Sequence, residues 1–328
     1  MNRPLRAWTR VPVYLAGCLA IAASVLGAAC APQPQPLRIG NNLWPGYELT
    51  HLARALGYDN GANVRLVDFS SASEVVRAYR DGLLDVAAVT ADEALLAGVG
   101  GGGQRIVLVC DTSNGADVIM AGRDITSVQD LRGKRVGVET TVLGAFVLAR
   151  ALELNGMTPS DVTVVPVSLP EHAGAFLAQR VDAVVTFEPN RSRLLALGAH
   201  VVFDSSSLPG EIADVLLTRA TLTPSQEASL QQVIRGWFRA RTFMMNNPEQ
   251  AAVHIAPRLG LPVPAFLDSL ALLQIPDRSD NLRMLGGQAP IMQNTLESLA
   301  AQMRALRLIG ADVTLPQLDP TFVEKAEP

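Results

Sequence analysis

Of the three cysteines in this chain of 328 residues, only Cys110 lies beyond the first thirty positions. No disulfide framework and no Cys-based metal site can be built from it. Within Ile106-Val107-Leu108-Val109-Cys110 it reads as a small buried hydrophobe. The four histidines, His51, His172, His200 and His254, include no pair at i, i+3 or i, i+4, so neither a metal nor another cofactor is expected. Gly-x-Ser-x-Gly, a P-loop and His-Glu-x-x-His are also missing. Gly100–Gly103 open no helix, which makes them a flexible loop and not a phosphate cradle. These absences argue against an enzyme. No basic run follows Arg10 and the net charge is −4, which excludes nucleic acid as an expected partner.

What is present begins with an export signal. Arg3, Arg6 and Arg10 form a basic segment, residues 11–29 are almost wholly apolar, and the small residues Gly27, Ala28 and Ala29 precede Cys30. A cysteine directly behind such a site resembles the lipobox of bacterial lipoproteins, which implies lipidation at Cys30. Leu15-Ala16-Gly17-Cys18 is the alternative lipobox, although cleavage there leaves a short apolar region. A plain cleaved signal or a retained membrane anchor are the other readings, weakened for the anchor by Pro12 and the small residues at its end. Ala31-Pro32-Gln33-Pro34-Gln35-Pro36 reads as a polyproline II tether. The expected location is the cell envelope, on the outer face of the cytoplasmic membrane or in the periplasm.

A composition of 48% hydrophobic and 18% charged residues is that of an ordinary globular protein. Strand-like runs at 37–40, 64–69 and 85–89 alternate with helical patterns at 47–56, 73–82 and 92–97. Runs 106–110 and 117–121 then follow each other without a helix between them. The alternation restarts with strands at 135–138, 162–167, 182–186 and 200–203 and helices at 141–155, 170–179 and 189–197. After a crossing segment at 212–218 the pattern is helical, at 223–246, 248–259, 264–273 and 291–307. The proline-bearing end, 311–328, is expected to fray. Val- and Ile-rich strands between helices predict an α/β protein with parallel sheets covered on both faces. The order predicts two α/β lobes, the second inserted into the first, joined by two hinge crossings near 111–117 and 205–214. The expected division is a signal peptide at 1–30, a tether at 31–36, lobe 1 at 37–113 plus 210–328, and lobe 2 at 114–209.

In such sheets ligands bind beyond the carboxyl ends of the strands. The candidates there are Asn42, Trp44, Tyr47 and Glu48 after the first strand, and Ser71, with Ser70 and Ser73, after the second. Trp44 offers a flat face and an N–H, or else caps the core. Glu48 either meets ligand or complements a helix N-terminus, and Ser71 or Ser73 reads equally as an N-cap. Thr90 and Asp92 follow the third strand, with Asp92 a cap or an acceptor. Thr140 and Thr141 stand where a long helix opens, as an anion site or a cap. Glu188, before Pro189, points a carboxylate at the cleft or back at its own helix. Ser113 and Asn114 at one crossing, and Glu211 and Asp214 at the other, are hinge residues that can also reach ligand. The list is acidic, and Arg191 is its one nearby cation. Such a balance favours a ligand with an amine or a ring N–H over a sulfonate or nitrate.

Several segments together resemble substrate-binding proteins of the nitrate/sulfonate/taurine type of ABC importer, a group that includes thiamine-pyrimidine binders. They are Asn42-Leu43-Trp44-Pro45-Gly46-Tyr47-Glu48 with Leu52-Ala53-Arg54-Ala55-Leu56-Gly57-Tyr58; Ser73-Glu74-Val75 with Gly82-Leu83-Leu84-Asp85; Asp130-Leu131-Arg132-Gly133-Lys134-Arg135-Val136-Gly137-Val138; Gly174-Ala175-Phe176 with Arg180-Val181-Asp182-Ala183; and Phe187-Glu188-Pro189. The resemblance covers about 37–260. It implies the type II periplasmic binding protein fold, a small-molecule ligand held between the lobes, an ABC permease as partner, and a monomer. An enzyme on the same fold, of pyrimidine-precursor or menaquinone-pathway type, and a lipoprotein presenting solute to a membrane receptor are the rival expectations.

Overall fold

The computed structural model describes residues 35–98, 103–139 and 142–327. Cys30, Cys18, the signal segment, most of the tether, residues 99–102 with most of the glycine run, and Thr140 and Thr141 lie outside the described residues. Residues from Pro36 onward form one compact unit.

The first sheet is built on β1 (Leu37–Asn42), β2 (Val64–Phe69), β3 (Val86–Thr90) and β4 (Gln104–Ser113), with β10 (Ala213–Arg219) set between β3 and β4. β1 runs parallel to β2 and β3, whereas β10 is antiparallel to both its neighbours. The second sheet has the order β7-β6-β8-β5-β9: Thr163–Pro166, Arg135–Val138, Ala183–Thr186, Val118–Ala121 and His200–Asp204. Here β5 is the antiparallel member, between β8 and β9. Each sheet is therefore mixed, not purely parallel as the sequence suggests. The odd strand in each is the one by which the chain has just crossed from the other sheet: β4 leads into β5, and β9 into β10.

Helices α1 (Glu48–Ala55), α2 (Ala72–Arg80) and α3 (Ala91–Ala97) each follow a strand of the first sheet. In the second sheet that place is taken by α4 (Val142–Leu154), α5 (His172–Leu177) and α6 (Asn190–Ala196). The remainder is helical: α7 (Pro224–Asn246), α8 (Pro248–Leu259), α9 (Val263–Leu270), α10 (Arg278–Leu285), α11 (Ile291–Ala305) and α12 (Thr321–Glu324). α7 starts where Thr223 and Gln226 exchange side chain and backbone bonds at 3.0 and 3.3 Å, with Pro224 in the first turn. β3 is buried at every position, as a central strand covered on both faces must be.

Three sequence expectations change. The helix expected at 264–273 ends at Leu270, and β11 (Leu273–Gln274) pairs antiparallel with β4. α10 has no counterpart in the sequence pattern; Asp277 starts it by accepting from the Asp280 N–H at 2.8 Å. The end of the chain does not fray. β12 (Gln317–Leu318) lies along β4, and Phe322, Val323 and Ala326 are buried. Arg278 donates to the Val323 carbonyl at 3.0 Å, Gln231 to that of Phe322 at 2.9 Å, and Arg105 pairs with Asp319 at 2.9 Å. Prolines suppress the periodic signal, but apolar burial and borrowed donors order the backbone all the same.

Candidate functional site

The carboxyl ends of β1 and β3 deliver Asn42, Trp44, Tyr47, Thr90 and Glu93 to one small cavity. Ala72 and Asp214 join them from the first sheet's side, and Asp117, Leu143 and Phe187 from the second. Trp44 meets Phe187 edge to face, with ring centroids 5.6 Å apart, so an aromatic contact spans the two lobes. A hydrogen bond does so as well: Ser73 Oγ donates to Glu139 Oε1 at 2.9 Å.

The polar atoms of the two aromatic residues are committed to acids. Trp44 Nε1 donates to Asp111 at 3.1 Å, and the Tyr47 hydroxyl donates to Asp214. Asp111 lies near enough to Asp214 for its charge to raise that carboxyl. Gly46 makes this arrangement possible, because a Cβ there would lie 1.7 Å from Asp111 Oδ2. Pro45-Gly46 is thus more than turn punctuation: it leaves a seat for a carboxyl group.

Around that floor the acids are buried and crowded. Glu93 is 1% exposed and Asp117 3% exposed, and Asp92, Asp111, Asp214 and Glu139 are buried too. Burial disfavours every one of their charged forms and pushes the Asp117 carboxyl up to about 7. It raises Asp214 and Glu93 well above the usual carboxylate range, with neighbouring acids adding to the effect: Asp111 for Asp214, and Asp92 for Glu93. Glu139 is raised for the same first reason. Glu93 Oε2 accepts the Thr90 N–H at 3.1 Å, while its Oε1 and Asp117 Oδ2 have no hydrogen-bond partner. Among the described residues lining the cavity there is no Lys, Arg or His.

Of the residues selected from sequence, the fold brings Asn42, Trp44, Tyr47 and Thr90 together in the cavity wall, with Asp214 from the second crossing. The others stand elsewhere. Glu48 is fully buried but turns to Arg258, which also holds Asp68 at 3.1 Å. Ser71 caps α2 by accepting from the Glu74 N–H at 3.4 Å. Asp92 is buried in the first turn of α3, outside the lining. Glu188 is fully buried and curls back on its own helix, accepting from Ser192 Oγ at 3.0 Å and Arg191 at 3.2 Å. Ser113 contacts Ser205 Oγ at 2.7 Å where the two crossings touch, and the Asn114 N–H donates to the Leu272 carbonyl at 2.8 Å. Glu211 pairs with Arg150 at 2.9 Å. Thr140 and Thr141 lie outside the described residues.

Sequence reasoning missed Glu93, Asp117, Leu143 and Phe187 as lining residues. Glu93 stands in the same helical first turn as Asp92, one position from the acid that was chosen. Phe187 directly follows the end of β8, the position from which a side chain meets the cleft.

Two mixed sheets of matching order, joined by paired crossings with a cavity at their facing strand ends, define the type II periplasmic binding protein fold. A family profile, the NMT1-like family, matches residues 31–257, and the chain belongs to that family. A protein of Escherichia coli (strain K12) named as an aliphatic sulfonates-binding protein is 24% identical over 266 residues, which are 79% of this chain and 82% of that one. The alkanesulfonate-binding protein SsuA from Xanthomonas axonopodis pv. citri, solved with MOPS bound, superposes with a TM-score of 0.73 at 20% identity, covering 87% of this chain and 98% of that one. The desulfurization enzyme DszB shares the fold as well, with a TM-score of 0.65 at 18% identity, over 88% and 98% of the two chains. Such structural likeness speaks for the fold and leaves the chemistry to the residues.

Proposed function

We propose that this protein is an extracytoplasmic solute-binding protein that captures a small organic molecule between its lobes and delivers it to an ABC permease. It acts as a monomer held at the membrane by lipid on Cys30, with Cys18 the alternative. The observation that carries this reading is one cavity lined from both sheets, so that a guest contacts both lobes and biases them toward closure. The permease then distinguishes loaded from empty protein by shape.

Aromatic and aliphatic walls beside carboxyl groups suit a flat or short molecule bearing an amine or a ring N–H, such as an aminopyrimidine. A sulfonate would face Glu93, Asp117 and Asp214 with no cation among the described lining residues, which sets this cavity apart from what the names of its relatives would suggest. Catalysis is not favoured. Cys110 is 1% exposed with its thiol pushed well up by burial, far from the thiolate a nucleophile needs. His172 is buried against Thr186 and the Val167 carbonyl, and burial pulls it down to about 4.

Native mass spectrometry of compounds that co-purify with the protein, followed by calorimetry with each, tests the proposal. A bound amine or N-heterocycle supports it. Catalytic turnover of the bound compound, or no bound solute and no response to any solute panel, overturns it.

A further inference from the structure

Three carboxyl oxygens of the described cavity lining hydrogen-bond to nothing in the protein: Glu93 Oε1, Asp117 Oδ2 and Asp214 Oδ2. Of these acids Asp214 already holds the Tyr47 hydroxyl, which leaves Glu93 and Asp117 as the pair. They come from opposite sides of the cleft. Glu93 is on α3 above the first sheet, and Asp117 immediately precedes β5 of the second. Their surroundings offer no positive charge. From α1 and the turn before it come Tyr47 and Trp44, whose donors are already given to Asp214 and Asp111. The first crossing contributes Asp111, β10 contributes Asp214, α3 contributes Asp92, and the residue after β6, Glu139, bonds to Ser73. A buried, unpaired carboxylate is strongly disfavoured, so an empty cavity of this composition must hold protons. A buried acid without a partner is also what a site for a cationic donor looks like before its guest arrives.

We propose that Glu93 and Asp117 form a two-sided clamp for one positively charged N–H-bearing group, and that capture exchanges one proton held by this pair for the charge of the ligand. Resting on the solute-binding reading above, this assigns the ligand class as a small organic cation with N–H donors. The clamp ties recognition to closure, because the two acids sit on different lobes and a single ammonium, guanidinium or aminopyrimidinium group reaches both only when the cleft is shut. One proton leaves to solvent for the one positive charge that enters. One acid becomes a carboxylate with a charge-assisted hydrogen bond, and the other stays protonated and accepts an N–H through its carbonyl oxygen, so charge balances inside the site. Trp44 bonded to Asp111, and Tyr47 bonded to Asp214, serve as the floor.

The test is thermal unfolding of the purified protein, Glu93→Gln and Asp117→Asn at pH 5 and pH 8. It is run alone and with agmatine, 4-aminopyrimidine, tetramethylammonium or methanesulfonate. The ligand-free variants should melt several degrees above the parent at pH 8 and by clearly less at pH 5. At least one of the two N–H-bearing probes should stabilise the parent, more at pH 8 than at pH 5 per cation present, and each variant should lose most of that shift. Variants that melt below the parent at pH 8 overturn the clamp, as does a panel in which neither N–H-bearing probe acts. Stabilisation by methanesulfonate also overturns it while leaving the solute-binding role intact, and an equal response to tetramethylammonium removes the N–H requirement and with it the clamp.

Discussion

At the scale of single residues, Gly46 decides how near Asp111 can come to Trp44. Its missing Cβ is the space occupied by Asp111 Oδ2, at 1.7 Å from where that carbon would stand. Gly46→Ala must therefore push the carboxyl aside and break the 3.1 Å bond from Trp44 Nε1. Overpacking of a tight core costs about 1–3 kcal/mol, so the variant should melt several degrees lower, with altered Trp fluorescence. An unchanged melting temperature and spectrum would show that Asp111 is not seated there. Arg258 gives a second residue-level test. Glu48 is fully buried, and burial raises its carboxyl even with Arg258 beside it. Removing the partner of a buried ion costs about 3–5 kcal/mol, and the partial exposure of Arg258 places Arg258→Gln near the lower end. Protonation of Glu48 relieves that loss, so the penalty should shrink as the pH is lowered from about 7 to about 4. A penalty that does not vary with pH would assign Arg258 a packing role.

At the scale of elements, the crossings work as a knit pair. Ser205 Oγ meets Ser113 Oγ at 2.7 Å and accepts the Gly115 N–H at 2.7 Å, and the Ser205 N–H donates to the Asp117 carbonyl at 2.9 Å. Ser205→Ala leaves the buried Gly115 N–H without its acceptor, which costs about 1–3 kcal/mol. Its unfolding midpoint should fall accordingly, and amide exchange should quicken at residues 113–117 before it does in β3. Uniform exchange across both would deny the hinge its separate stability. Most of this architecture is legible in the sequence, because buried strands such as Val86–Thr90 and capped helices such as Pro224–Asn246 carry their own periodicity. The short β11 and β12 and the helix Arg278–Leu285 are not, since they are held by pairing with β4 and by distant donors. The site is legible only in part for a related reason. Strand ends point to Trp44, Tyr47 and Thr90, and the i, i+3 spacing of Glu188 and Arg191 leaves their pairing open, but nothing local marks Glu48 as turned to Arg258, or Glu93 and Asp117 as unpartnered.

At the scale of the whole molecule, the buried acids set how stability follows pH. A carboxyl whose folded value lies above its unfolded one binds more protons in the native state, so stability falls as the pH rises between the two values. Asp117, at about 7 against an ordinary 3.8, opens that window from about pH 4 to pH 7, and Glu93, Asp111 and Asp214 act in the same direction. The cost at full ionisation is on the order of a few kcal/mol for Asp117 alone. Other acids work with the opposite sign. Asp68 is held low mainly by its bond to His51. Burial pushes Asp85 up, but its bonds to Arg38 together outweigh that and hold it low as well. Both contribute stability that is lost as the pH falls below about 4. The two groups together predict a maximum near pH 4, with urea midpoints declining on both sides. The alkaline decline belongs to the cleft, and Glu93→Gln with Asp117→Asn should flatten it while leaving the acid limb in place. A midpoint that climbs steadily from pH 5 to pH 8 would mean that the cavity acids are neutralised within the fold, and that the empty cleft has no charge for a guest to supply.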